Sequence, residues 1–144
     1  MCRYCLCPSA AAIALLSTAR GMARWNLGLW HTREIEPGLL TGESLFGGGI
    51  GWVRVRIDHE AGAIRYSVGE SPSNLVSRIE ARVQDGAPLG YPSGGSLVTL
   101  MAWRTAEMND ERWHRLIAAH EAEIELIRSA LDQPSQPSVP AGPA

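Results

Sequence analysis

The 144-residue chain has no lysine; all thirteen of its basic residues are arginine. That absence excludes Schiff-base chemistry, a phosphate-loop lysine and a lysine general base. The only cysteines, Cys2, Cys5 and Cys7, fall within the first seven residues, so the rest of the chain can hold no disulfide of its own. Their C-x-x-C-x-C pattern offers three thiols with no fourth ligand nearby, whereas a closed zinc site needs four. No metal site and no cofactor is expected. No run of eighteen apolar residues occurs, which argues against a membrane-spanning helix. Acids are missing from residues 1–33, which carry four arginines; residues 34–144 carry nine arginines against fifteen acids. A net-acidic body lacks the basic face that non-specific nucleic-acid binding requires, so no nucleic-acid partner is expected.

What is present suits one small domain with many turns: 45% hydrophobic residues, fifteen glycines and nine prolines. After Arg3, the segment Ser9–Ala19 is apolar, and Ser17 and Ala19 satisfy the small-x-small pattern of signal-peptidase cleavage. Alternatively, Met22 begins the functional chain, or the segment is a transit peptide or a real helix. The two leading readings both make residues 1–21 a signal-like or dispensable extension, leaving a single domain over 22–131 and a tail over 132–144. Export and a cytoplasmic location fit equally well.

The clearest local pattern is Trp52–Asp58, where Val53, Val55 and Ile57 alternate with Arg54, Arg56 and Asp58. A turn at His59–Gly62 follows, and Ala63–Val68 alternates again. This is a β-hairpin signature that pairs Ile57 with Ile64, Val55 with Tyr66 and Val53 with Val68. The same register opposes Arg56 to Arg65, with Arg54 on the same face; like charges so placed cost up to about 1 kcal/mol. Either carboxylates such as Asp58, Glu70 or Glu80 offset them, or the face binds an anion or acidic partner through Arg54, Arg56 and Arg65. The glycine run at 47–51 precedes a strand and does not open a helix, so it is no dinucleotide loop. Weaker strand patterns lie over 27–35, 39–46 and 79–83, and an apolar run fit for a buried strand covers 96–103. The fold class read from these is mainly β with one C-terminal α-helix, as a small antiparallel β-sandwich or barrel.

Leu40-Thr-Gly-Glu43, then Gly49–Asp58, then Gly62–Val68 resemble the opening of the CHRD (chordin-type) domain, and Ala81–Gly90 and Ser96–Leu100 follow in the right order. The likeness spans about residues 39–100. It implies an antiparallel β-sandwich, typically extracytoplasmic and without established catalytic activity. Two histidines of that family's loop are replaced here by Arg82 and Gln84, so no imidazole-dependent role carries over.

A helix is predicted over 105–131, capped by Thr105 or Asn109. Its apolar stripe, Trp113, Ile117, His120, Ile124, Ile127 and Leu131, either packs across the sheet or makes a homodimer seam through Trp113, Ile117, Ile124, Ile127 and Leu131. Glu123 reads as a solvated neighbour of that stripe. His120 with Glu123 at i, i+3 is a weak ligand pair, and no H-E-x-x-H motif exists. Prolines 134, 137, 140 and 143 give the tail a polyproline period.

Function is read as a non-enzymatic binding or structural module. One alternative is a small barrel lyase, isomerase or cyclase with a tryptophan-lined apolar pocket, for which His31, Glu34, Glu36 and His120 are the candidate acid–base groups. The other is a helix-mediated oligomerising or regulatory protein. A pocket between helix and sheet, and the histidine facing it, would discriminate among them.

Overall fold

The computed structural model describes residues 1–133; the proline-spaced tail from Pro134 onward lies outside the described residues. Seven strands, β1 (Cys2–Cys5), β2 (Trp30–Glu36), β3 (Leu39–Glu43), β4 (Ile50–Asp58), β5 (Ala63–Gly69), β6 (Val76–Asp85) and β7 (Ser96–Ala102), form one antiparallel sheet. Its order is β1-β7-β6-β5-β4-β3-β2. Helices α1 (Ser9–Ser17) and α2 (Ala19–Met22) link β1 to β2, and the long helix α3 (Asp110–Asp132) follows β7. The mainly β class with a C-terminal helix is therefore what the structure shows. Where a sandwich or barrel would cover one sheet face with more strands, α1 and α3 cover it here.

The central hairpin has the register its alternation dictates: Ile57 opposes Ile64, Val55 opposes Tyr66, Val53 opposes Val68 and Arg56 opposes Arg65. Its turn is set by Gly62, at φ +59°, where an added Cβ would strike the Val83 carbonyl oxygen. Asp58 Oδ1 accepts the Ala61 N–H at 3.0 Å and closes the same turn. The inward sets of β3 to β7 converge on one core. Leu40, Val53, Val55, Ile64, Tyr66, Ala81, Val83, Val98 and Leu100 meet Leu15 and Leu16 of α1 and Ile124 and Ile127 of α3.

Residues 1–21 belong to this domain, contrary to the expectation of a dispensable extension. β1 pairs with β7 from Cys2↔Thr99 to Cys5↔Ser96. Cys5, Ala12 and Leu16 are fully buried, and Leu15 and Cys7 nearly so. Burial raises both thiols, Cys5 to about 12, so these are core side chains rather than nucleophiles or ligands. The apolar stretch that resembles an export signal is apolar because α1 lies between sheet and α3. No helix among the described residues is long and apolar enough to cross a membrane.

Helix α3 starts later than 105: Asn109 is its cap, with Oδ1 accepting the Arg112 N–H at 2.8 Å. Ile124 and Ile127 are fully buried in the chain's own core and Leu131 packs against it. That half of the stripe therefore closes the domain and is not available to a homodimer seam. Trp113 and Ile117, a turn or more earlier, remain partly exposed.

Candidate functional site

At its N-terminal end α3 stands away from the sheet, leaving a cleft of about 380 Å³ between its first turns and the end of β7. Leu100, Met101, Ala102 and Trp103 line one wall, and Trp113, Leu116, Ile117 and His120 line the other, with Met1 at the edge. The connector 103–109 holds this geometry. Arg104 donates from Nε and Nη2 to the Met108 carbonyl at 3.0 and 2.9 Å, and from Nη2 to Asp110 at 2.7 Å. The Trp103 N–H donates to the Arg78 carbonyl at 2.9 Å, fixing the cleft wall to β6. The cleft lies between helix and sheet, and His120 is the histidine that faces it.

Beside the cleft sits a feature that alternation does not reveal. Between β5 and β6 the register shifts, with Tyr66 opposite Ile79 and Ser67 opposite Ser77. Arg78 is the extra residue of that β-bulge, and a bulge re-aims its side chain. Its Nη1 is buried and has no hydrogen-bond partner among the described residues. Burial, and then the charge of Arg112 on α3, lower its pKa, although the residue as a whole is only partly buried. Leaving a buried donor unsatisfied costs about 1–3 kcal/mol, and more for a charged group.

His120 and Glu123 lie on successive turns of α3, both buried. Burial, then the Arg78 charge and the amino terminus, push His120 down to about 4. Burial raises Glu123 to about 7, against the hydrogen bonds it takes from the Leu27 and Gly28 amides. Leu27 N–H donates to Glu123 Oε1 at 2.9 Å. The His120 Nε2–Glu123 Oε2 separation is 3.7 Å. With the imidazole neutral near pH 7, this contact is not an ion pair. Deeper still, the Tyr66 hydroxyl donates to the Leu16 carbonyl at 2.7 Å, and Trp25 Nε1 donates to the Leu15 carbonyl at 3.1 Å. Burial, then Glu123, raises the Tyr66 phenol.

The other sequence candidates do not converge here. His31 lies exposed in an irregular part of β2, at φ +53° and 3.9 Å from Glu43. Glu34 accepts the Gly38 N–H at 3.0 Å, and Glu36 pairs with Arg54 at 3.4 Å. All three belong to an edge strand, so the trio His31, Glu34 and Glu36 forms no acid–base site with His120. Arg56 and Arg65 oppose each other as expected, and Glu80 lies across from Arg65 on β6. Glu80 receives Arg82 Nε at 2.7 Å and Arg65 Nε at 3.2 Å. The Arg82 hydrogen bond above all, then Arg65, outweigh burial and hold its carboxyl below the ordinary value. A carboxylate thus answers Arg65, one of the two opposed arginines. No group of three metal-ligating side chains occurs among the described residues.

Sequence reasoning missed Arg78 and misplaced Glu123. A bulge leaves no mark in the alternation of Val76–Asp85. Glu123 lies one residue from Ile124, and only the loop at 27–28 makes its side of the helix an inside.

No protein-family model matches the chain, and no curated protein matches it by sequence. Solved structures share its fold. A START superfamily protein from Mycobacterium smegmatis is similar at TM-score 0.66 and 11% identity, over 92% of this chain and 95% of that one. The Aha1 dimer from Colwellia psychrerythraea is similar at TM-score 0.64 and 13% identity, over 94% and 96%. An uncharacterized protein from Bacillus thuringiensis is similar at TM-score 0.64 and 14% identity, over 91% and 96%. At such identities the likeness shows the fold alone: an antiparallel sheet with a C-terminal helix.

Proposed function

We propose that this domain is a binding module that takes a small, largely apolar molecule in the cleft between α3 and β7. The observation that carries the reading is the cleft itself. Its volume falls within the range of ligand pockets, and its walls are tryptophan and aliphatic side chains with one polar group, His120. Binding is favoured over acid–base catalysis because His120 is the one ionisable side chain on the walls. Glu123, its neighbour, is turned to the amides of Leu27 and Gly28.

The test uses 8-anilino-1-naphthalenesulfonate as probe, with energy transfer from Trp103 and Trp113 as the signal. Wild type is expected to bind it at a single saturable site. Ala102→Phe, which fills the cleft, is expected to weaken binding about tenfold or more while keeping a cooperative melt. Unchanged binding by a folded Ala102→Phe would place the probe elsewhere and overturn the reading.

A second reading is pairing of two copies through the cleft mouth, where Trp103 and Ile117 are exposed and a protein of similar fold was solved as a dimer. Sedimentation velocity across a concentration series separates the two, since a ligand cleft predicts a monomer throughout.

A further inference from the structure

We infer that Arg78, beside the cleft and hydrogen-bonded through its carbonyl to the wall residue Trp103, binds an anion there, so that the ligand is an apolar molecule carrying one negative head group such as a carboxylate. The inference deepens the proposed binding function and rests on it. Three observations carry it, each independent of the cleft's apolar lining. The first is the bulge in β6, which delivers a guanidinium to a point where regular alternation would not leave one. The second is the buried Nη1, a charged donor with no acceptor among the described residues. The third is the charge around it.

The Arg112 charge lowers the pKa of Arg78, and the Arg78 charge lowers that of His120; no carboxylate pairs with Arg78 among the described residues. Glu123, the buried acid of α3, is occupied by backbone amides. Elsewhere in the protein buried or half-buried charge is answered: Glu80 by two arginines, Arg104 by a carbonyl and Asp110. Among the described residues Arg78 is the exception, and it neighbours the cleft wall without being one of the lining residues. Its carbonyl holds Trp103, its charge reaches His120, and both of those residues line the wall. A planar guanidinium with a free donor suits a carboxylate or sulfonate, which can take two parallel hydrogen bonds. The neutral imidazole of His120 supplies a further donor or acceptor beside it.

The experiment compares two probes that differ only by the anion, 8-anilino-1-naphthalenesulfonate and its uncharged parent N-phenyl-1-naphthylamine, on wild type, Arg78→Gln and Arg78→Met. Loss of Arg78 is expected to raise the dissociation constant of the sulfonate about tenfold to a hundredfold, with the neutral probe changed less than about twofold. Equal changes for both probes, or none for either, overturn the assignment while leaving the cleft a binding site. If neither probe binds wild type, the binding reading fails and this inference falls with it. Thermal melts without ligand provide a second criterion. Arg78→Met keeps the aliphatic stem and discards the unpaired charge, so its midpoint is expected at or above that of wild type. A clear drop would mean that the guanidinium serves the fold, and would overturn a ligand role.

Discussion

Glu123 Oε1 accepts the backbone N–H of Leu27 at 2.9 Å, so a carboxyl one turn from His120 ties α3 to the loop that leads into β2. The two side chains respond to acid in opposite directions. A histidine depressed to about 4 from 6.5 leaves the unfolded state with more protons between those values, so stability rises with pH across that window. A carboxyl raised to about 7 from 4.5 keeps its proton longer in the fold, so stability falls as pH rises from 4.5 to 7. Each group alone would move stability by about 3 kcal/mol, and between pH 4.5 and 6.5 they offset. Urea melts of wild type should therefore be nearly flat in that range. Glu123→Gln should become more stable with rising pH, and His120→Gln less stable. Parallel profiles for all three proteins would show that the pair does not titrate as described.

Removing residues 1–21 should abolish the cooperative fold. The cut deletes Leu16, Cys5 and Ala12 from the core and strips β7 of one of its two partner strands. Several large-to-small losses of about 2–5 kcal/mol each exceed the whole stability of a small domain. A chain starting at Met22 that melts like the full chain would contradict the placement of β1 and α1.

Ile124→Ala should cost about 2–5 kcal/mol, because Ile124 is fully buried between α3 and the sheet. Glu121→Ala, on the exposed side of the same turn, should cost less than about 0.5 kcal/mol. The Ile124→Ala cost should not vary with protein concentration; a midpoint that climbs with concentration would put this side chain in an interface between copies.

On the sheet face turned away from the core, Arg56→Thr should leave stability unchanged or raise it by up to about 1 kcal/mol, since it removes the repulsion with Arg65 and keeps β propensity. Glu80→Gln should lower it by about 1–3 kcal/mol, because Arg65 and Arg82 both donate to that carboxylate. Its carboxyl is held below the ordinary value, so the wild-type contribution is present above pH 4.5 and is lost as pH falls through the folded value. Glu80→Gln should therefore show a weaker loss in acid than wild type.

How much was legible depended on whether neighbours in sequence were neighbours in space. The β4–β5 hairpin was readable to the residue pair, because its alternation and its turn are local. The stretch 39–100 that resembles a chordin-type domain is β3 to β7, where short alternating strands meet the needs of any antiparallel sheet. Helix α3 was readable as a stripe but not as a surface, because Leu27 and Gly28, about a hundred residues away, decide that Glu123 is inside. The N-terminal segment misled for the same reason: its apolarity serves partners in β6, β7 and α3 that no local window contains. His31 and its acidic neighbours looked like chemistry only because they were close in sequence.

The pairing of β1 with β7, and of Leu6 N–H with Asp132 Oδ1 at 2.8 Å, brings the first residues of the domain against its last helix. Synthesis delivers those partners at opposite ends of time. The β4–β5–β6 meander can form from local contacts as it emerges, and β1 can pair with β7 once β7 is made, but the apolar side of α1 stays uncovered until α3 is released. Closing so long a loop is slow, and an uncovered apolar face is sticky while it waits. Refolding should therefore show an early phase confined to the meander and a late phase that buries Trp25 against α1. The late phase should be the aggregation-prone one, and a chain lacking α3 should stall before it.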